Sequence, residues 1–246
     1  MISKAKVKFM KSLQLKKYRK QEQRFLVEGA KSVAELLASD FEVTQVVGTA
    51  AFLNSLSPTV TAEQIEATEA ELAALGEFQS NNTALAIARM KPNRLLEVSE
   101  KEFAIVLDDI RDPGNLGTII RTADWYGIHK IIASSETADF YNPKVITATM
   151  GSFTRVEICY TQLPEYLAIA KHTVWGAYLD GSNVHTTDFG EGGLILIGNE
   201  SRGIAPELQH FVTQKVTIPR YGKAESLNAA IATAVICDNI RRMSGM

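Results

Sequence analysis

From Phe103 onward, short apolar runs alternate with segments whose apolar residues recur every three or four positions. The runs predict strands, and the periodic segments between them predict helices. Apolar strands that alternate with helices are typical of an α/β domain, with a parallel sheet covered by helices on both faces. The predicted strands are 103–108, 130–134, 155–160, 173–179, 194–198 and 216–219, and the predicted helices are 115–127, 143–150, 164–171, 205–210 and 226–242.

A smaller alternation of the same kind occupies the first ninety residues. It predicts strands at 24–29, 41–48, near 58–61 and at 83–88, with helices at 30–38 and 68–75. The polar stretch 91–101 then reads as a linker. The sequence therefore predicts a small N-terminal α/β domain (1–90), a linker (91–101) and a larger α/β domain (102–246).

Composition narrows the class of protein further. The chain has 246 residues, of which 46% are hydrophobic and 22% charged, which is ordinary for a globular protein. No apolar run approaches the roughly 18–20 residues that span a bilayer, and the N-terminus lacks the apolar centre of a signal peptide. The two cysteines, Cys159 and Cys237, are far apart, which suits a reducing compartment. We therefore expect a cytoplasmic protein without membrane association.

Charge is distributed unevenly along the chain. Residues 1–31 contain ten Lys or Arg against two Asp or Glu, a net charge of +8, while the remaining residues contain 16 against 26, a net of −10. A basic segment on an acidic body indicates a polyanionic partner, although a solvated helical face would show the same pattern. The candidate contact residues are Lys11, Lys16, Lys17, Arg19 and Lys20.

A first polar cluster follows the strand 103–108, at a strand end where open α/β sheets bind ligands. Asp112-Pro113-Gly114 predicts a turn, and Asn115 is predicted to cap the next helix. Arg121 lies one turn after Gly117, off the apolar stripe of that helix. A guanidinium at this place can grip a phosphate through a bidentate fork, and the alternative is an ordinary surface arginine.

Two further clusters follow later strands. Gly198-Asn199-Glu200-Ser201-Arg202-Gly203 comes directly after the strand 194–198, and its glycines let backbone approach a ligand closely. The stretch from Ile218 to Asn228 ends a strand and begins the last helix, for which Ser226 is the predicted N-cap. Ser226 and Asn228 would lie where polar groups can meet a ligand.

Together the three clusters resemble the three motifs of the SpoU/TrmH family of the SPOUT superfamily. The matching elements are Asn115-x-Gly117 with Arg121, Gly198-x-Glu200-x-x-Gly203, and Ile218-Pro219 followed by Ser226-Leu227-Asn228. The N-terminal domain is similar to the ribosomal-protein-like substrate-binding domain of many members. The last motif departs from the family pattern, because Ala229-Ala230-Ile231 stands where Val-Ser-Val is common.

The resemblance implies an S-adenosylmethionine-dependent RNA 2′-O-ribose methyltransferase that is a homodimer and has a C-terminal deep trefoil knot. It implies a ribosomal RNA substrate, 23S in particular, more than a transfer RNA. By position it implicates Arg121, Asn115, Glu200, Ser226 and Asn228 in catalysis, with Glu200 and Asn115 fixing Arg121 and the loops while Ser226 and Asn228 shape the substrate side. The methyl donor would be held largely by backbone groups, at Ala177, Tyr178, Leu179, Gly198, Ile218 and Leu227.

The role of Arg121 stays open between two alternatives. The family proposal makes it the base that takes the ribose proton, but a free guanidinium titrates above about 12 and is a poor base. A role in gripping a phosphate and stabilising charge is therefore favoured.

Other functional classes fit the sequence less well. Asp188-Phe189-Gly190-Glu191-Gly192 matches the loop of a doubly wound methyltransferase, but it precedes a strand instead of following one. The chain has neither a dinucleotide-binding glycine loop nor a G-K-[ST] loop, and its four histidines have no metal-ligand spacing, so no metal is expected. The remaining alternative is an RNA-binding protein that keeps the fold without transferring a methyl group.

Overall fold

The computed structural model describes residues 2–77 and 81–243. Its contacts divide the chain into two compact units. Unit 1 comprises the described residues up to Pro92 together with Asp139–Thr154, and unit 2 comprises Asn93–Ala138 with the described residues from Arg155 onward. Residues 139–154, which the sequence pattern assigns to the second domain, thus pack with the first.

The helices and strands follow one another in a regular alternation. In chain order they are α1 (Lys4–Ser12), α2 (Lys16–Glu22), β1 (Arg24–Glu28), α3 (Ala30–Leu37), β2 (Val43–Gly48), α4 (Ala50–Asn54), β3 (Glu63–Glu66), α5 (Glu69–Leu75), β4 (Ala84–Arg89), β5 (Phe103–Leu107), α6 (Pro113–Trp125), β6 (Lys130–Ala133), α7 (Pro143–Thr149), β7 (Glu157–Tyr160), α8 (Leu163–Ile169), β8 (Val174–Asn183), β9 (Gly193–Ile197), β10 (Gln214–Thr217) and α9 (Ala229–Met243).

Unit 1 is built on a mixed sheet of strand order β1-β4-β2-β3, in which only the β2–β3 pair is parallel. Leu26, Leu72 and Ile87 belong to its fully buried core. Helix α7 contacts β1, and an aromatic cluster accompanies this contact. The cluster consists of Phe25, Phe41, Tyr141 and Phe153.

The prediction of a strand near 58–61 was wrong. The chain turns there, and the strand is β3, at Glu63–Glu66. This strand lies at the edge of the sheet and has no buried residue, so it leaves little hydrophobic pattern to detect. The helices α1, α2 and α4 were also not predicted, and α1 and α2 each contain a single buried residue.

Unit 2 contains a six-stranded sheet of order β10-β8-β9-β5-β6-β7, in which every neighbouring pair is parallel. This confirms the predicted α/β class and the parallel sheet. All six strands overlap the apolar runs that predicted them, and β5 and β9 are buried along their whole length. The bounds differ most at β8, which extends to Asn183 instead of 179, and at β10, which spans Gln214–Thr217 instead of 216–219. The helix expected at 205–210 is a short 3-10 helix, Pro206–Phe211.

The pairing of β8 with β10 contains a large irregularity. Gly176 pairs with Lys215, whereas the next ladder position pairs Ser182 with Val216. Residues 177–181 therefore form a bulge between two regularly paired segments. The β8–β10 ladder leaves the backbone of these five residues unpaired.

Candidate functional site

The three polar clusters meet at the carboxyl edge of the parallel sheet in unit 2. The side-chain amide of Asn115 donates a hydrogen bond to Oε1 of Glu200 at 2.6 Å. The amide of Asn228 donates to Oδ1 of Asn115 at 2.8 Å. We call these three residues the Asn–Glu–Asn trio. Three of the five predicted catalytic residues thus form one hydrogen-bonded chain.

Asn115 is placed by the first turn of α6. The N-cap of this helix is Asp112, whose Oδ1 accepts from the backbone N–H of Asn115 at 2.8 Å. The prediction that Asn115 caps the helix was therefore wrong. The cap acts on the backbone of Asn115 and leaves its side-chain amide for Glu200.

Asn228, not Ser226, caps the last helix. Helix α9 begins at Ala229, and Oδ1 of Asn228 accepts from the backbone N–H groups of Ala230 at 2.9 Å and Ile231 at 3.3 Å. The N-cap prediction for Ser226 was wrong, because helical backbone begins three residues later. Ser226 is exposed and lies outside the trio. Asn228 thus anchors α9 with its oxygen and reaches Asn115 with its nitrogen.

Glu200 stands on a tightly closed loop. The backbones of Asn199 and Gly203 bond to each other in both directions, at 3.1 and 2.8 Å. Oδ1 of Asn199 also accepts from the N–H groups of Ser201 and Arg202. A Cβ at Gly198 would lie 2.2 Å from the backbone carbon of Gly203, so no other residue fits there without moving the loop.

A buried aspartate that sequence reasoning did not single out underlies this loop. Asp109 is 5% exposed and has a left-handed backbone with φ of 59°. Its carboxylate accepts from Nε of Arg111 at 2.6 Å and from Nη2 of Arg202, and its carbonyl accepts from Asn199 at 2.8 Å. The available signal was the pair of acidic residues directly after an apolar strand.

The neighbouring Asp108 is also buried and accepts from the backbone N–H of Ala205 at 2.7 Å. Burial raises the pKa of this carboxyl, and the negative charge of Asp109 acts in the same direction. The hydrogen bond from Ala205 opposes the shift without cancelling it. Two buried carboxyl groups thus lie side by side at the edge of the site. The pKa of Asp108 is raised, and Asp109 is paired with two arginines.

Arg121 lies on the exposed side of α6, whereas Leu116, Ile119 and Ile120 of the same helix are fully buried. Within the described residues its guanidinium forms no hydrogen bond or ion pair, so the expected contact with Glu200 and Asn115 is not part of this structure. Its donors remain available to a ligand.

The predicted donor-binding residues lie at the ends of three neighbouring strands. Ala177, Tyr178 and Leu179 occupy the bulge of β8, while Gly198 follows β9 and Ile218 follows β10. The ring of Tyr178 packs against the core, and the Lys215 ammonium lies 4.5 Å from the ring centroid. Because this side chain is occupied, a ligand at the bulge would contact the backbone of Tyr178. Leu227 is 47% exposed and directly precedes Asn228.

The basic residues of unit 1 divide into two kinds. Lys11, Lys16, Lys17 and Lys20 are exposed. Arg19 is 1% exposed and donates to the carbonyls of Leu13 and Gln14 and to Asp139. The expectation that Arg19 contacts RNA does not fit this burial, because its guanidinium already holds the junction of α1 and α2.

Residues 2–77 and 81–243 contain no group of three His, Cys, Asp or Glu side chains arranged to hold a metal ion. None of the helices in these ranges combines the length and apolarity required to cross a bilayer.

Fold and site together define an α/β protein whose predicted site residues occupy the carboxyl edge of an all-parallel sheet. The sequence profile of the SpoU rRNA Methylase family matches residues 102–238, and that of the MRM3-like substrate binding domain matches residues 4–107. The chain belongs to the SpoU rRNA Methylase family. This confirms the predicted family and the similarity of the N-terminal region to a substrate-binding domain.

Similar proteins match the chain over nearly its whole length. The 23S rRNA (guanosine(2553)-2′-O)-methyltransferase of Bacillus subtilis is 30% identical over 242 residues, 96% of each chain. An AdoMet-bound rRNA methyltransferase from Sinorhizobium meliloti has 30% identity and a TM-score of 0.88, covering 98% of this chain and 96% of that one. The SpoU methyltransferase AviRb from Streptomyces viridochromogenes, in complex with AdoMet, has 27% identity and a TM-score of 0.86, with 99% and 100% covered.

Proposed function

We propose that this protein transfers a methyl group from S-adenosylmethionine to the 2′-oxygen of a ribose in 23S rRNA, in the cytoplasm. The observation that carries the proposal is the Asn–Glu–Asn trio, because it joins the three family motifs into one site. The similarity to an rRNA 2′-O-methyltransferase over 96% of both chains supports the substrate.

Residues on or directly after three adjacent strands, β8, β9 and β10, are suited to binding the methyl donor. When bound, S-adenosylmethionine supplies a methyl group that its sulfonium has already activated. The backbone of residues 177–179, together with Gly198 and Ile218, would hold it, with Leu227 against its apolar part. Gly198 has no space for a side chain, which keeps the loop closed while its backbone stays accessible to the donor.

We further propose that the C-terminal segment is tucked through a loop to form the family's trefoil knot. Strand β10 is the last strand in the chain, yet it pairs with β8 at the edge of the sheet, and the bulge 177–181 lies on this pair. Helix α9 then packs against α6 with Cys237 and Ile240 fully buried. A terminal segment anchored in this way supports the proposal.

On the substrate side, the 2′-hydroxyl must be aligned with the methyl group and must lose a proton. Arg121 has its donors available and would bind a phosphate or stabilise the developing charge at the ribose oxygen. Action as the base is the less favoured alternative, because a guanidinium is a poor proton acceptor. Ser226 is exposed one turn before α9, where it would contact the ribose side.

Capture of the RNA would fall mainly to unit 1. Lys11, Lys16, Lys17 and Lys20 are exposed there on a segment of net charge +8. The rest of the chain is acidic, so it offers a polyanion less attraction.

We also expect two copies to form a homodimer, as is typical of the family. Trp125 and Ile231 are 83% and 52% exposed, whereas Cys237 and Ile240 pack within their own unit. Exposed apolar side chains on α6 and α9 support a partner surface there. Light scattering that gives the mass of one chain at micromolar concentration would contradict the dimer.

A transfer assay tests the activity. Purified protein is incubated with methyl-labelled S-adenosylmethionine and 23S rRNA transcribed without modifications, and the digested nucleosides are analysed by mass spectrometry. We expect label on the ribose of one nucleoside, and much less with transfer RNA. RNA that binds without becoming labelled would favour a non-catalytic RNA-binding protein instead.

A further inference from the structure

The buried carboxylate of Asp109 binds two arginines from two different loops. Arg111 belongs to the loop between β5 and α6, and its Nε donates to Oδ1 at 2.6 Å. Arg202 belongs to the loop after β9, and its Nη2 donates to Oδ2. Since both oxygens of one carboxylate are used, the two guanidinium groups are held side by side.

Both arginines nevertheless point most of their length into solvent. Their side chains are 65% and 67% exposed, whereas that of Asp109 is 8% exposed. A guanidinium has five N–H donors, and each arginine gives only one nitrogen to Asp109. The two arginines and the carboxylate leave a net charge of +1 with several free donors. This arrangement is suited to a second anion.

Arg111 and Arg202 lie on the same chain segments as two members of the Asn–Glu–Asn trio. Arg202 is two residues after Glu200 on the same closed loop, which Asn199 also ties to the carbonyl of Asp109. Arg111 directly precedes Asp112, the residue that caps α6 and accepts from Asn115. An anion bound by the pair would therefore be held by the two segments that carry Glu200 and Asn115.

We propose that Arg111 and Arg202 bind a phosphodiester group of the RNA, adjacent to the ribose that is methylated, with Asp109 as their positioning residue. This rests on the proposed function. Planar guanidinium groups match the oxygens of a phosphate in a bidentate manner. The methyl donor also carries an anion, its carboxylate, and Arg202 follows β9, one of the three strands at the predicted donor site. Arg111 follows β5, which is not one of those strands, so a measurement of donor affinity distinguishes the two ligands.

The variants Arg111→Gln and Arg202→Gln test this proposal separately, because each leaves Asp109 one arginine. The measurement is binding of unmodified 23S rRNA transcript as a function of salt. Each variant is expected to weaken binding roughly tenfold, the effect of one charge-assisted hydrogen bond. The log–log salt slope should fall by up to about 0.7–0.9, the share of one phosphate. Donor affinity should not change.

Arg155→Gln is the matched control. Arg155 is also an exposed arginine of unit 2 that pairs with an aspartate, Asp124. It lies at the opposite end of the sheet from the site, just before the amino end of β7. Arg111→Lys and Arg202→Lys should restore the salt slope but less of the affinity, because lysine keeps the charge without the fork. The proposal would be overturned if Arg111→Gln and Arg202→Gln bound RNA as well as Arg155→Gln does. It would also be overturned if these two variants lost affinity for the methyl donor instead of affinity for RNA. Binding is measured without turnover, so a wild type that binds RNA but transfers no methyl group refutes the proposed function separately.

Discussion

The side chains of the trio hold one another in fixed orientations. Both ends of the Asn115 amide are engaged, its nitrogen by Glu200 and its oxygen by Asn228. An amide bound at both ends cannot rotate without breaking a hydrogen bond. The trio therefore fixes the start of α6, the loop after β9 and the start of α9 relative to one another. Arg121 is exposed farther along α6 and takes no part in these hydrogen bonds.

Replacing Arg121 by alanine should separate chemistry from donor binding. Turnover should fall by roughly two orders of magnitude or more, the effect of losing one group that stabilises charge in a transition state. Calorimetry should show unchanged affinity for S-adenosylmethionine, and Arg155→Ala should leave both quantities near wild type. Lost donor affinity with normal turnover of the saturated variant would contradict the assignment.

Asp108 gives a prediction for the pH dependence of stability. Burial raises its pKa in the folded protein, so the folded state binds this proton more tightly than the unfolded chain does. The stabilisation is complete below the unfolded pKa and is lost as pH rises through the folded pKa. Asp108→Asn has no carboxyl group to ionise, so it lacks this pH-dependent loss of stability. Its side-chain oxygen can still accept from the backbone N–H of Ala205.

The free energy of unfolding of Asp108→Asn relative to wild type should therefore rise as pH increases from about 4, the unfolded pKa, through the raised folded pKa. Urea unfolding at several pH values measures the difference. Asp112→Asn, at an exposed helix cap, is the control. A difference between Asp108→Asn and wild type that stays constant with pH would refute the predicted shift.

The secondary structure shows where a hydrophobic pattern suffices and where it does not. The six strands of unit 2 were predictable because each overlaps an apolar run in a chain of otherwise mixed composition. The starts of α6 and α9 were not, because several residues near each start can cap, and tertiary contacts select among them. Asn228 becomes the cap of α9 while it also bonds Asn115, 113 positions away in sequence. Likewise, β8 extends to Asn183 because β10 pairs with it beyond the bulge.

Two substitutions separate the roles of Asn228 within α9. Asn228→Ala removes both the cap and the bond to Asn115, and the loss of the cap should destabilise the protein by about 1 kcal/mol. Asn228→Asp keeps a capping oxygen but has no amide to donate to Asn115. We expect both variants to lose methyl transfer, whereas only Asn228→Ala loses the capping contribution to stability, as measured by urea unfolding. Full activity in Asn228→Asp would show that the bond to Asn115 is dispensable.

The distribution of charge along the chain agrees with the two proposed tasks, RNA capture and methyl transfer. The basic segment lies in unit 1, and the trio lies in unit 2. Sequence counts revealed the charge but not which basic residues are accessible. Arg19 and Lys20 are neighbours in sequence, yet Arg19 is buried and Lys20 is exposed. Burial of Arg19 depends on Asp139, 120 positions away, which a local pattern cannot reveal.

Reversing Lys11, Lys16, Lys17 and Lys20 to glutamate should weaken RNA binding and flatten its salt dependence. Each phosphate contact that is lost lowers the slope by about 0.7–0.9. Donor affinity should stay unchanged. Reversal of Lys16 and Lys17 alone is compared with reversal of Lys101 and Lys171, two exposed lysines of unit 2. Equal RNA affinity and slope in these two pairs would identify the basic segment as a solvated face.

The most direct test of the proposed activity maps 2′-O-methylated positions in RNA from cells with and without the protein. Cells that lack it are complemented with the wild type or with Arg121→Ala, at matched protein levels. We expect one ribose methylation in 23S rRNA that disappears without the protein, returns with the wild type and does not return with the variant. A ribose methylation lost only from transfer RNA, or no ribose methylation lost, would contradict the proposed activity.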